Sequence, residues 1–156
     1  MCEYCGCRQI EPIAQLMDEH LSLLELSGDI RRAVARADRA TAYALLRQLQ
    51  QQLHPHVRRE ERGVFAAMKN QGEFVDAIVD LEQEHLDFDD ALAALDPSAG
   101  DYDSAVTNLL SDLSEHIDKE NLGIFPLAVV SLNAAGWNTV TGAHDEDRSP
   151  THMHNG

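Results

Sequence analysis

Between Pro12 and Leu132 apolar residues recur in steps of three and four, the spacing that gathers side chains onto one face of an α-helix. A first helix is predicted from about Pro12 to Ala37. Pro12 suits its first turn, and Ile13, Met17, His20 and Leu24 form its stripe. A second follows the candidate cap Asp38 and carries Ala42, Leu46, Leu49, Leu53, His56 and Glu60 on one face. Pro55 removes a backbone donor inside it, which predicts a kink. The third, from about Gly72 to Leu95, has the cleanest seam: Phe74, Ile78, Leu81, His85, Phe88, Leu92 and Leu95. After the breaker DPSAGD a fourth starts near Tyr102. It carries Val106, Leu109, Leu113, His116 and Glu120 inward and runs past Pro126 toward Leu132 with another bend. Short connections make successive helices antiparallel neighbours, so the predicted fold is all-α, an up-and-down antiparallel four-helix bundle over residues 11–137. Residues 1–10 are read as a separate cysteine-containing segment. Beyond Gly136 the stretch GAHDEDRSPTHMHNG offers little apolar surface to offset its ordering, so residues 138–156 are expected to form a flexible tail.

Charge narrows the possibilities. The 156 residues include 12 Lys plus Arg against 27 Asp plus Glu, a formal net charge of −15. A nucleic-acid backbone or an anionic membrane surface would be repelled. No apolar run reaches the roughly 20 residues needed to span a bilayer, and the N-terminus has no signal-peptide core, so a cytoplasmic protein is expected. The three cysteines, Cys2, Cys5 and Cys7, all fall in the first seven residues and cannot staple the bundle. Their Cys-x-x-Cys-x-Cys spacing could hold a soft metal, or a redox disulfide between Cys2 and Cys5 or between Cys5 and Cys7. A Gly-rich phosphate loop and a nucleophile elbow are both missing from the sequence, which leaves nucleotide-binding and hydrolase readings without support.

The chain writes one sentence twice. HVRREERGVFA, from His56, and HIDKENLGIFP, from His116, share His, Glu, Gly and Phe at matching places; LMDEHL before the first and LEQEHL before the second echo each other too. The pattern is that of a duplicated two-helix unit. In each helix the motif histidine lies on the apolar stripe, and Glu60 and Glu120 fall one turn beyond His56 and His116. Burying one unpaired carboxylate costs several kcal/mol. Six inward polar groups therefore need a common purpose, and distances from the turns, nearly matched at the first two connections and one helical turn apart at the third, bring them to one layer once helix stagger absorbs the difference. Four imidazoles with two carboxylates suit iron or manganese, with zinc or copper as alternatives. If Glu60 and Glu120 both bridge, two ions receive about eight bonds from the protein, short of the roughly twelve that two octahedral ions want. A solvent bridge and open positions for a small molecule account for the rest. His54 points away from this layer and is expected to be exposed or an outer neighbour. Glu61, Glu82, Glu84 and Glu115 read as a solvated face, with orientation of the imidazoles as the less common use of such charges. Glu82 with His85 spells Glu-x-x-His once, where the ferritin-like signature needs two copies. The tail residues His144, His152 and His154 are expected to bind nothing specific.

The set His20, His56-x-x-x-Glu60, His85, His116-x-x-x-Glu120, with EERGVF and ENLGIFP after the glutamates, resembles the hemerythrin-like, or HHE cation-binding, family from about Glu11 to Trp137. That resemblance implies a non-haem di-iron centre, oxo- or hydroxo-bridged, with His20, His56, Glu60, His85, His116 and Glu120 as ligands. Two features differ from the oxygen-carrying members: Leu81 stands where they have a further histidine, and Glu120 follows His116 by four positions where they use a five-residue step to aspartate. The resemblance thus leans toward bacterial relatives that meet a small oxidant, whether oxygen, hydrogen peroxide or nitric oxide, with catalase-like peroxide removal as the concrete enzymatic form. The alternatives are a redox, oxygen or nitric oxide sensor signalling to a protein partner through the cysteines, and an iron-handling protein. Catalytic residues and the choice between monomer and dimer are left open.

Overall fold

The computed structural model describes residues 10–154, with side chains as far as Glu146. Cys2, Cys5 and Cys7 lie outside the described residues. Helix α1 spans Glu11–Ala35 and α2 spans Arg39–Glu60. A π-helical segment, Glu61–Phe65, joins α2 to the short α3, Ala66–Gln71. After a turn come α4, Val75–Ala94, and α5, Tyr102–Lys119. A second π-helical segment, Glu120–Ile124, leads into α6, Phe125–Ser131, and then α7 runs over Ala134–His154. Helices α1 and α4 each pack against both α2 and α5, which gives a four-helix, up-and-down bundle.

Local chemistry sets the boundaries. Asp38 caps α2, its carboxylate accepting from the Thr41 backbone N–H at 3.1 Å and from the Thr41 hydroxyl at 2.7 Å. Gly72 ends α3 in the left-handed region, at φ 76°, where a Cβ would be strained. The third bundle helix accordingly starts at Val75 rather than at Gly72, and Phe74, expected on the seam, is 42% exposed at its N-cap. Pro55 stands within α2, but the backbone departs from α geometry just downstream, in the first π segment. The second π segment occupies the matching place, and Pro126 sits in the first turn of α6 immediately after it. One extra residue per turn at each site rotates the helix beyond it, a device that π-bulges supply at functional positions.

Two apolar cores lie above and below a polar layer. One gathers Leu23, Ile30, Leu46, Leu53, Val106 and Leu113; the other gathers Ile13, Leu16, Phe65, Ile78, Phe125 and Val140. Val140 belongs to α7, so the flexible tail expected for residues 138–156 needs correction over residues 138–144. Val140, Ala143 and His144 are all buried there, and Trp137 is partly buried against the same core. Average polarity misled because a single narrow stripe spaced by three is enough to fill a groove the bundle already offers. His144 donates from Nδ1 to Gln15 Oε1 at 2.8 Å, tying α7 to α1.

The repeat treats its two glycines differently. A Cβ on Gly63 would lie 3.4 Å from Ala143 Cβ and 3.6 Å from Val140 Cα, because α7 crosses there. The corresponding Gly123 has nothing within 4 Å and opens onto a groove of about 560 Å³ lined by Ala77, Leu81, Ile124 and Leu127. Gly123→Ala is therefore expected to be neutral or to stabilise by up to about 1 kcal/mol. Gly63→Leu should cost about 1–3 kcal/mol by overpacking α7. Denaturant midpoints compare them directly, and equal shifts would contradict the packing described.

Candidate metal centre

The six inward residues of the sequence pattern converge. His20, His56, His85, His116, Glu60 and Glu120 are each 5% exposed or less, and both glutamates are fully buried. All four histidines turn Nε2 inward. His20 Nε2 lies 2.8 Å from Glu120 Oε1 and 3.4 Å from Glu60 Oε2, while His56 Nε2 is 3.1 Å from Glu60 Oε2. On the other side His85 Nε2 is 3.2 Å from Glu60 Oε1, and His116 Nε2 is 3.0 Å from Glu120 Oε2. Two overlapping groups result, His20, His56, Glu60 and Glu120, and His85, His116, Glu60 and Glu120, each able to hold a metal ion. The glutamates belong to both. Within each group the two imidazole rings tilt at 56°, with centroids 4.6 Å apart in the first and 4.7 Å in the second.

The outward nitrogens are anchored in turn. His56 Nδ1 donates to Glu19 at 2.7 Å, His116 Nδ1 to Glu84 at 2.9 Å, His85 Nδ1 to Glu61 at 2.8 Å, and His20 Nδ1 to Asn121 at 2.8 Å. Glu19 is held by Arg59, and Glu84 by Lys119. In the neutral ring each bond fixes the tautomer that leaves Nε2 free to donate electrons toward the centre. Glu61 and Glu84, read from sequence as a solvated face, thus orient imidazoles; Glu19 and Asn121 were missed altogether. The signal for Glu19 and Glu84 was available, since each immediately precedes the first histidine of its unit in DEHL and QEHL. Glu82 instead pairs with Lys69 at 2.9 Å, Glu115 is exposed, and His54 is exposed and reaches Asp89 at 3.2 Å. The repeated phenylalanines also acquire a purpose: Phe65 stacks on His85 and Phe125 on His20, so each unit buttresses a histidine of the other.

Two carboxylates meeting in an apolar interior need positive charge. Burial by itself would push the Glu60 carboxyl up, but the attraction of His56 and the close ring nitrogens of His20, His56 and His85 hold it well below the ordinary carboxylate range. Burial and the nearby Glu60 both push Glu120 up, and contacts with His116, His20 and His85 outweigh them. The imidazoles respond in kind. Against a burial effect that lowers it, His20 is pushed up to about 10 by Glu120 and Glu60, and His85 to about 12 by Glu120, Glu60 and Glu61. Both oxygens of Glu60, Oε1 of Glu120 and Nε2 of His20 are buried without an aligned hydrogen bond, although His20 Nε2 and Glu120 Oε1 are close enough for one. Inward atoms at hydrogen-bonding distance but not aligned for it are what a donor set suited to metal ions presents.

For the metal-free protein these shifts set how stability depends on pH. A histidine raised in the fold stabilises it fully below its unfolded value of 6.5 and loses that contribution as pH climbs toward the raised value, about 10 for His20. A carboxyl held low contributes above its unfolded value of 4.5 and loses its contribution as pH falls. With chelator present, melting temperature should peak between about pH 5 and 6.5 and then decline toward about pH 10. Metal bound to neutral imidazole reverses the slope across neutrality, since protons then compete with the ion. A metal-free melting temperature that rises steadily above about pH 6.5 would contradict the pairing.

Among the described residues no helix is long and apolar enough to cross a membrane. Neither curated proteins nor solved structures give a match to the chain. A profile of the hemerythrin HHE cation binding domain does, over residues 11–128. That span contains the bundle, both π segments and every member of the buried histidine and glutamate cluster, and the chain therefore belongs to the hemerythrin HHE cation-binding family.

Proposed function

We propose that the chain is a non-haem di-iron protein that binds or reacts with a small oxidant, oxygen, hydrogen peroxide or nitric oxide, with catalase-like removal of peroxide as its concrete form. One observation carries this reading: two four-residue donor groups share both of their carboxylates. Nε2 of His20 and His56 would hold one ion, Nε2 of His85 and His116 the other, and Glu60 and Glu120 would span the pair. When bound, the irons would supply electron transfer and Lewis acidity toward an O–O or N–O unit. The chain's own residues do the rest. Leu23, Leu53, Phe88, Leu113 and Ile117 line the centre on its apolar side and keep bulk water away, which strengthens electrostatic effects inside. Leu81, 3% exposed and one turn before His85, is packed into the apolar cluster beside the centre and brings no donor to it. With only four imidazoles, coordination positions stay available to a small ligand.

The test is elemental analysis of untagged protein, with visible spectra and oxygen evolution before and after peroxide. About two irons per chain, oxo-bridge absorption and oxygen release support the reading. A single zinc, or no metal after reconstitution with ferrous iron, sinks it.

A further inference from the structure

The groups that accept from the imidazoles match between the two halves of the centre except at one place. Glu19 and Glu84 occupy equivalent positions and accept from His56 and His116. The residues following the shared glutamates are also equivalent, sixty positions apart on the π segments, yet one is Glu61 and the other Asn121. His85 therefore leans on a carboxylate at 2.8 Å, where His20 leans on a neutral amide oxygen at 2.8 Å. Both imidazoles of the His85 and His116 half rest on carboxylates; only one does in the His20 and His56 half. The cations behind Glu19 and Glu84 act in the same sense. Arg59, 13% exposed, presses on Glu19 from a largely buried place, while Lys119, 56% exposed, meets Glu84 from solvent. A screened cation draws less acceptor strength from its carboxylate.

A charged acceptor on Nδ1 makes Nε2 a stronger metal donor than a neutral acceptor does. The inward donors are otherwise alike, two Nε2 atoms and two shared carboxylates on each side. We propose that Glu61 and Asn121 are positioning residues that make the two metal positions unequal, so that the His85 and His116 position holds a divalent ion more tightly than the His20 and His56 position. The gap is the roughly 10–100-fold that an outer hydrogen-bond partner of a ligating histidine is worth. At limiting supply the first ion enters the His85 and His116 half, and on chelation the other half empties first. This rests on the two-metal reading above.

The experiment titrates the stripped full-length chain with cobalt(II), read by calorimetry and by the visible ligand-field spectrum, with helicity checked by circular dichroism. Wild type should show two binding steps separated by about 10–100-fold. Asn121→Asp supplies the missing carboxylate and should tighten the weaker step, a gain that damage to the fold cannot produce. Glu61→Gln should weaken the tighter step and leave the other in place, and the double variant should restore a separation with the order reversed. Two equal steps in wild type, no tightening in Asn121→Asp, or equal loss from both steps in Glu61→Gln would overturn the asymmetry while leaving a two-metal centre intact. Fewer than two ions bound to wild type would overturn both.

Discussion

Glu60→Ala is expected to abolish oxygen release from peroxide and to leave at most one ion bound, with the bundle still folded. Glu60 is, with Glu120, one of the two carboxylates shared by both donor groups: it is fully buried and lies 3.1 Å from His56 and 3.2 Å from His85. Its removal takes an oxygen from each position at once. The loss in metal affinity should exceed the roughly 10–100-fold typical of an outer hydrogen-bond partner. Folding should survive because the apolar clusters on either side of the layer do not include Glu60. Its loss also relieves the repulsion that Glu60 exerts on Glu120. Glu60→Gln keeps the volume and should fail in the same way, which separates lost charge from lost packing. Metal counts, peroxide-dependent oxygen evolution and circular dichroism check these outcomes, and undiminished turnover in either variant would place the activity elsewhere.

The second large effect is expected from ending the chain after Asn133. Helix α7 contributes fully buried Val140 and partly buried Trp137 to the core that holds Phe65 and Phe125. A fully buried side chain of this kind contributes about 1.5–3 kcal/mol. Losing the helix should cost about 3–5 kcal/mol, lowering the melting temperature by about 10 °C in a chain of this size. The centre should suffer as well. Gly63, which α7 covers, lies two residues from Glu61 in the same π segment, and Glu61 orients His85. Val140→Asp should reproduce much of the loss within the full chain by placing a charge at a fully buried position. Thermal melts of both variants decide the matter: an unchanged melting temperature would mean that α7 is not part of the cooperative fold.

Period and spacing made the four bundle helices legible. An apolar stripe that includes His20, His56, His85 and His116 can be satisfied only by turning those residues inward, and i+4 spacing puts Glu60 and Glu120 beside two of them whatever the loops do. Asp38 before a helical pattern is a local signal and proved to be a local cap. Boundaries were less legible where backbone chemistry competed with the stripe, as at Gly72 and Phe74, and Pro55 drew attention from the π segment a few residues on. Helix α7 was unreadable for a different reason. Its narrow stripe gains enough stability only against a groove that exists after the bundle has formed.

The sequence by itself determined the helical period, the duplication and the six polar residues on the core seam, because each rests on spacings along a single helix. Tertiary structure decided what needs two helices at once. It divided the six heads into groups sharing Glu60 and Glu120, set Glu19, Glu61, Glu84 and Asn121 behind the imidazoles, and crossed Phe65 and Phe125 onto the opposite unit's histidines. Those pairings depend on the stagger and rotation of packed helices, with one extra residue at each π segment contributing to the rotation, and no periodicity within a single helix encodes them.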